Sequence, residues 1–187
     1  MLSTLTGVID TYLQANVFAS NRYQRGNYIG LCELVNTDNG TEPMAVSNTG
    51  EGTTAVIDDN YTFNLYHRYI SSSYADSEAE SFGSGTNGII DSATMRLVIV
   101  ADRERLEHPL DEIVQSVVYG LPIKYADADY TDYDYIRSVH LTANNSELDA
   151  YADEYGSEGQ LPPNYVIAAI DYTLEISINK NCYTLCN

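Results

Sequence analysis

A chain of 187 residues with 27 acidic and 9 basic side chains carries a formal charge of -18, and 44% of its residues are apolar. The length suits one domain with a proper core, since domains commonly run about 100–200 residues. Unselective binding to nucleic acid is excluded by the charge, because such affinity comes largely from Lys and Arg neutralising phosphates; anionic membranes are disfavoured for the same reason.

The acidity itself has two readings, plain solubility or a wall along which DNA slides without being held. No stretch approaches the roughly 18 apolar residues that span a bilayer. Met1 to Asp10 lacks a basic region followed by an apolar run, so nothing there marks export. Cys32, Cys182 and Cys186 are an odd set that cannot all pair within one chain, which suits a reducing cytoplasm.

Leu2, Leu5, Val8, Ile9, Tyr12 and Leu13 recur at helical spacing and predict an amphipathic helix opening near Ser3. The one locally basic stretch follows, with Arg22 and Arg25, and then an apolar run from Tyr28 to Val35 that reads as a first strand. Asp38-Asn39-Gly40 is a turn signal. Weak strands are expected near Met44 to Val46 and Thr53 to Ile57, and a stronger one at Tyr61 to Ile70, rich in aromatic and branched residues. Ser71 to Gly88, with its serines, glycines and acidic cluster, reads as a long mobile loop.

Thr94 to Ala101 predicts a strand covered on both faces, with Leu97, Val98, Ile99 and Val100 mid-sheet. The clearest helix comes next: Pro109 at its first position, Asp111 and Glu112 in its first turn, and Leu110, Ile113, Val114, Val117 and Val118 on one stripe. Gly120 and Pro122 stop it. Tyr125 to Tyr135 is acidic and tyrosine-rich, Ile136 to Thr142 reads as a strand, and Ser146 to Tyr155 as a short helix. From Tyr165 to Ile178 the apolar residues alternate without a break, predicting a strand of about 45 Å. Such a length leaves two possibilities, a long arm within the chain or pairing with a neighbouring subunit.

The motifs that carry chemistry fail on context. Gly83-Ser-Gly85-Thr-Asn-Gly88 matches the dinucleotide fingerprint in letters, but neither a preceding strand nor a following helix N-terminus is expected. Asp127, Asp129 and Asp132 suggest a calcium loop, yet the sixth position holds no glycine and Ser138 stands where the bidentate Glu belongs. His67, His108 and His140 lie on separate elements, and Cys182 and Cys186 lack a second pair at finger-like distance. No catalytic, cofactor or metal residue is assigned, and the chain is expected not to be an enzyme. Candidate contact residues are Arg22 and Arg25, which suit an acidic partner surface, and the tyrosines Tyr130, Tyr133 and Tyr135. Tyr172, Leu174 and Ile176 join them, on the chance that the last strand pairs between subunits.

The element order, with Met95 to Ile123 running a strand into a helix and Asn164 to Asn179 closing on a long alternating strand, resembles the tail-terminator and tail-completion family of tailed bacteriophages. The Tyr-rich, Trp-free, acidic texture is similar to virion proteins of phages infecting gut Bacteroidetes, including neck ring proteins of crAss-like podoviruses. The resemblance implies a single α+β domain over 1–187, a mixed or antiparallel sheet with two main helices packed on it, and arms at 38–60 and 71–88. It further implies a structural protein of the virion neck or tail, assembled in the host bacterial cytoplasm. There it would form a homo-oligomeric ring, twelvefold or sixfold, between portal and tail proteins, with DNA passing through the channel. The residue-level alternative is an acidic DNA-mimic inhibitor or another non-enzymatic interaction module.

Overall fold

Leu5, Ile9 and Leu13 recur every fourth residue and are each at most 1% exposed, so the N-terminal helix forms and lays this stripe on a sheet. The computed structural model describes residues 2–18, 26–38, 40–45, 57–77, 88–121, 123–126, 136–147 and 164–179, and its first element is α1 (Leu2–Tyr12). A π-helical turn, Leu13–Val17, continues it and is closed by the Phe18 amide donating to the Leu13 carbonyl at 2.8 Å. The wider turn adds one residue to the helical repeat, which lets Leu13 and Phe18 both reach the core. Phe18 then packs against Phe63 and Tyr28, with ring centroids 5.2 and 6.1 Å away.

The strands are β1 (Gly26–Thr37), β2 (Gly40–Ala45), β3 (Phe63–Ser77), β4 (Gly88–Asp102), β5 (Ile123–Ala126), β6 (Ile136–Glu147) and β7 (Tyr165–Asn179), with helix α2 (Leu110–Gly120) between β4 and β5. They form one seven-stranded sheet in the order β2-β1-β3-β4-β7-β6-β5. Only β1 and β3 run parallel; the other neighbours are antiparallel. The chain is thus a single α+β domain with a mixed sheet and two helices packed on it.

Both helices cover the same face. Leu5, Ile9 and Leu13 from α1 and its extension, with Ile113, Val114 and Val117 from α2, meet Leu97, Ile99, Ala168, Ile170 and Tyr172 in one large core. A smaller core on the other face joins Cys32, Tyr66, Val98, Val100, Ile167 and Ala169. Leu97 to Val100 are therefore buried on both faces at the middle of the sheet, as their unbroken apolar run predicts. Pro109 stands at the N-cap of α2 and not, as predicted, at its first position, since the helix begins at Leu110; Asp111 and Glu112 lie in the first turn.

Two expectations change, and one choice left open is decided. Ser71 to Ser77 is no loop but the outer half of β3, and Gly88 opens β4, the two strands pairing from Ser71↔Thr94 to Ser77↔Gly88. Serines reach this ladder because Ser71, Ser73, Tyr74 and Ala75 stay exposed, so this end needs backbone pairing and no apolar side chains. Ser146 and Glu147 belong to β6, paired with Ile170 and Ala169, so the short helix does not begin there. The long final strand does not leave its sheet. From Tyr165 to Asn179 it pairs with β4, and from Ala169 to Ile178 with β6 as well, so its length is matched by neighbours in its own chain.

Candidate functional site

Among the buried polar side chains, Asp10 and His67 stand out because both are ionisable and lie between α1 and the sheet. Asp10 extends the buried stripe of α1, and His67 follows Phe63 and Leu65 on the helix-facing side of β3. A buried polar group needs a partner, and these two find each other: His67 Nε2 lies 2.9 Å from Asp10 Oδ1. On its other side, the Tyr172 hydroxyl of β7 lies 2.8 Å from His67 Nδ1, with the rings edge to face at 85°. With Nε2–H donating to Asp10 and the Tyr172 hydroxyl donating to Nδ1, both ring nitrogens of His67 are satisfied. The row thus joins α1, β3 and β7 across the core.

A carboxylate, an imidazole and a hydroxyl in line resemble the parts of a nucleophilic triad. Here the hydroxyl belongs to Tyr172, whose exposure is 0%, so no substrate reaches it in this conformation. The row opens only at Asp10, which borders a groove of about 400 Å³ between α1 and β1. Ser3, Gly7, Asp10, Thr11 and Gln14 form one wall and Tyr28 to Leu31 the other. A β-bulge at Tyr28/Gly30 and the positive φ of Gly30, 82°, shape the strand wall. Burial, and then the Asp10 charge, hold the Tyr28 hydroxyl well above the ordinary phenol range.

A second polar cluster fastens the loops at one end of the sheet. Asp102, 6% exposed, accepts from the Glu104 amide and from Asn164 Nδ2, both at 3.0 Å, and pairs with Arg105 Nε at 3.2 Å. The Arg105 guanidinium also donates to the Asp59 carbonyl, and the Tyr165 hydroxyl donates to Asp59 Oδ1 at 2.6 Å. Burial and this bond push the Tyr165 hydroxyl up to about 12. Every one of these groups is engaged in holding a loop, and the cluster offers no open carboxylate pair.

A third feature is an edge. β1 pairs with β3 only from Gly26 to Cys32 against Phe63 to Arg68, so no described strand pairs with the same side of β3 from Tyr69 to Ser77. Tyr69, Ile70 and Tyr74 on this segment are 45%, 44% and 70% exposed. A bulge between Tyr69 and Ser71 marks where the open stretch begins.

Of the contact residues read from sequence, Arg22, Arg25, Tyr130, Tyr133 and Tyr135 lie outside the described residues, as do most of the fingerprint-like and calcium-like segments, Cys182 and Cys186. Tyr172, Leu174 and Ile176 are each at 0% exposure, so their side chains fill this chain's own core and are not surface contacts. Among the described residues no group of three or more His, Cys, Asp or Glu side chains is placed to hold a metal ion. What spacing missed is the joining of Asp10, His67 and Tyr172, which are 57 and 105 residues apart along the two links. The available signal was a histidine at a core-facing position of a strand. No protein-family model and no curated protein matches this chain.

Proposed function

We propose that this chain is a structural subunit that acts by assembly, a ring component of the head-to-tail connector or tail of a tailed bacteriophage, resembling tail-terminator and tail-completion proteins. The observation that carries the reading is the edge of β3 from Tyr69 to Ser77, where no described strand pairs and Tyr69, Ile70 and Tyr74 are exposed. An open strand edge is a template for pairing with another chain, and monomeric proteins usually blunt it with charge, proline or a cover. From Tyr69 to Ala75 this edge bears neither charge nor proline.

In the ring, each copy adds a strand to the open edge of its neighbour, a head-to-tail contact that closes a cycle. Arg22 and Arg25 face acidic surface on the next copy, and Tyr130, Tyr133 and Tyr135 supply further contact area. The formal charge of -18 suits a channel wall that DNA passes without being held. Portal-proximal and tail proteins lie above and below.

Negative-stain electron microscopy and mass photometry of the full chain test this. Rings with a central channel are expected, and the double variant Ile70→Lys, Tyr74→Lys should stay monomeric while keeping its circular-dichroism spectrum. Rings in both proteins would remove the edge from the assembly. A chain that remains monomeric at its highest attainable concentration, alone and when mixed with portal and tail proteins of a candidate virion, would overturn the ring.

A further inference from the structure

Both walls of the groove above Asp10 carry glycine, and for different reasons. Gly30 has the positive φ, 82°, that L side chains rarely adopt. Gly7 has no such need: it lies mid-helix, and a Cβ added there would meet nothing within 4 Å. A mid-helix glycine weakens a helix relative to alanine. Neither packing nor backbone geometry accounts for Gly7, but the missing side chain keeps the groove open over Asp10.

The floor of that opening is chemically specific. Asp10 is 6% exposed and its Oδ1 is taken by His67. Among the described residues none is found bonding its second oxygen, and Asp10 itself lines the groove. Tyr28, whose ring packs against Phe18 and Phe63, lines the opposite wall, and Ser3, Thr11 and Gln14 add neutral polar groups. A carboxylate, an aromatic ring and polar neutral groups around one opening form a recognition set for an organic cation. The net charge of the chain draws the same class of ligand.

We propose that this groove receives a single side-chain cation, an arginine guanidinium or a lysine ammonium, presented by a second protein chain. The cation bonds the free oxygen of Asp10 beside the Tyr28 ring, and His67, itself fixed by Tyr172, holds the carboxylate in place. The site stands apart from ring closure at the β3 edge, so either can fail without the other.

Titration of the ¹⁵N-labelled full chain with acetyl-Gly-Arg-Gly-amide, its lysine analogue and its citrulline analogue, in about 0.15 M salt to screen diffuse attraction, tests the proposal by NMR. Saturable shifts at the amides of Gly7, Thr11, Gly30 and Leu31 are expected with the arginine or lysine peptide, the two arms showing which cation is preferred, and none with citrulline. Asp10→Asn keeps an acceptor for His67 and should weaken binding by about tenfold or more; Gly7→Leu, which fills the groove without touching the buried row, should do the same. An equal response to citrulline, or wild-type binding by the Gly7→Leu protein, would overturn the site. If Asp10→Asn does not fold, Gly7→Leu decides alone, because its position has room for a side chain.

Discussion

Asp10, His67 and Tyr172 show how a few buried polar atoms fix the relation of three elements. Removing one partner leaves another unsatisfied, at a cost of about 1–3 kcal/mol. Tyr172→Phe takes away only the hydroxyl beside His67 Nδ1, so a loss of that size is expected in urea unfolding, with little change in slope because the core keeps its shape. Asp91 is the opposite case. It is 6% exposed, its Oδ1 has no hydrogen-bond partner among the described residues, and burial raises its carboxyl above the ordinary range. The folded state therefore holds this proton to higher pH than the unfolded chain. The associated stability is complete below the ordinary carboxylate range and lost as pH rises through the raised value. Asp91→Asn is accordingly expected to raise the melting temperature at pH 7, with the gain shrinking as acid is added; a gain independent of pH would contradict this account.

At the scale of elements, β4 and β7 form the rigid centre, paired along their whole length from Gly88↔Asn179 to Asp102↔Tyr165. Around them burial falls away unevenly. β3 is buried on both faces from Phe63 to His67 and exposed at Tyr69, Ile70 and Tyr74, so one strand serves both core and surface. The N-terminal end of β1 is held by close packing: a Cβ at Gly26 would overlap the ring of Phe63, which is 1% exposed and lies 5.2 Å from Phe18. Glycine is required there by contact and not by φ. Gly26→Ala should destabilise by about 1–3 kcal/mol, as overpacking does, and reversible thermal unfolding followed by circular dichroism would measure it. An unchanged midpoint would mean that the aromatic cluster yields more easily than its packing indicates.

For the whole molecule, association brings copies of charge -18 together, and that repulsion acts against any assembly. The uncharged edge from Tyr69 to Ala75 is where it opposes contact least. Salt shortens the Debye length from about 30 Å at 0.01 M to about 3 Å at 1 M. Assembly through β3 should therefore strengthen as salt is added, whereas occupation of the Asp10 groove by a cationic side chain should weaken. Light scattering for the first and the peptide titration for the second give opposite expected slopes. A shared slope would show that the two surfaces do not act through the physics assigned to each.

The sequence by itself determined the local grammar of this protein. Four-residue spacing on α1, the stripe from Leu110 to Val118, the unbroken run at Leu97 to Val100 and the alternation from Tyr165 onward each name an element, because periodicity records which sides of a helix or strand lose water. Tertiary structure alone decided the rest. Ser71 to Ser77 became a strand because Gly88 to Thr94 lay beside it with unpaired backbone groups, a cause that composition does not carry. The partners of His67 were likewise invisible, since α1, β3 and β7 meet only when the sheet order is set. That same order turned Tyr172, Leu174 and Ile176 from candidate contacts into core and left the edge of β3 beyond Arg68 without a described neighbour. Alternation specifies two faces of a strand, while its two edges are assigned only when the neighbouring strands take their places.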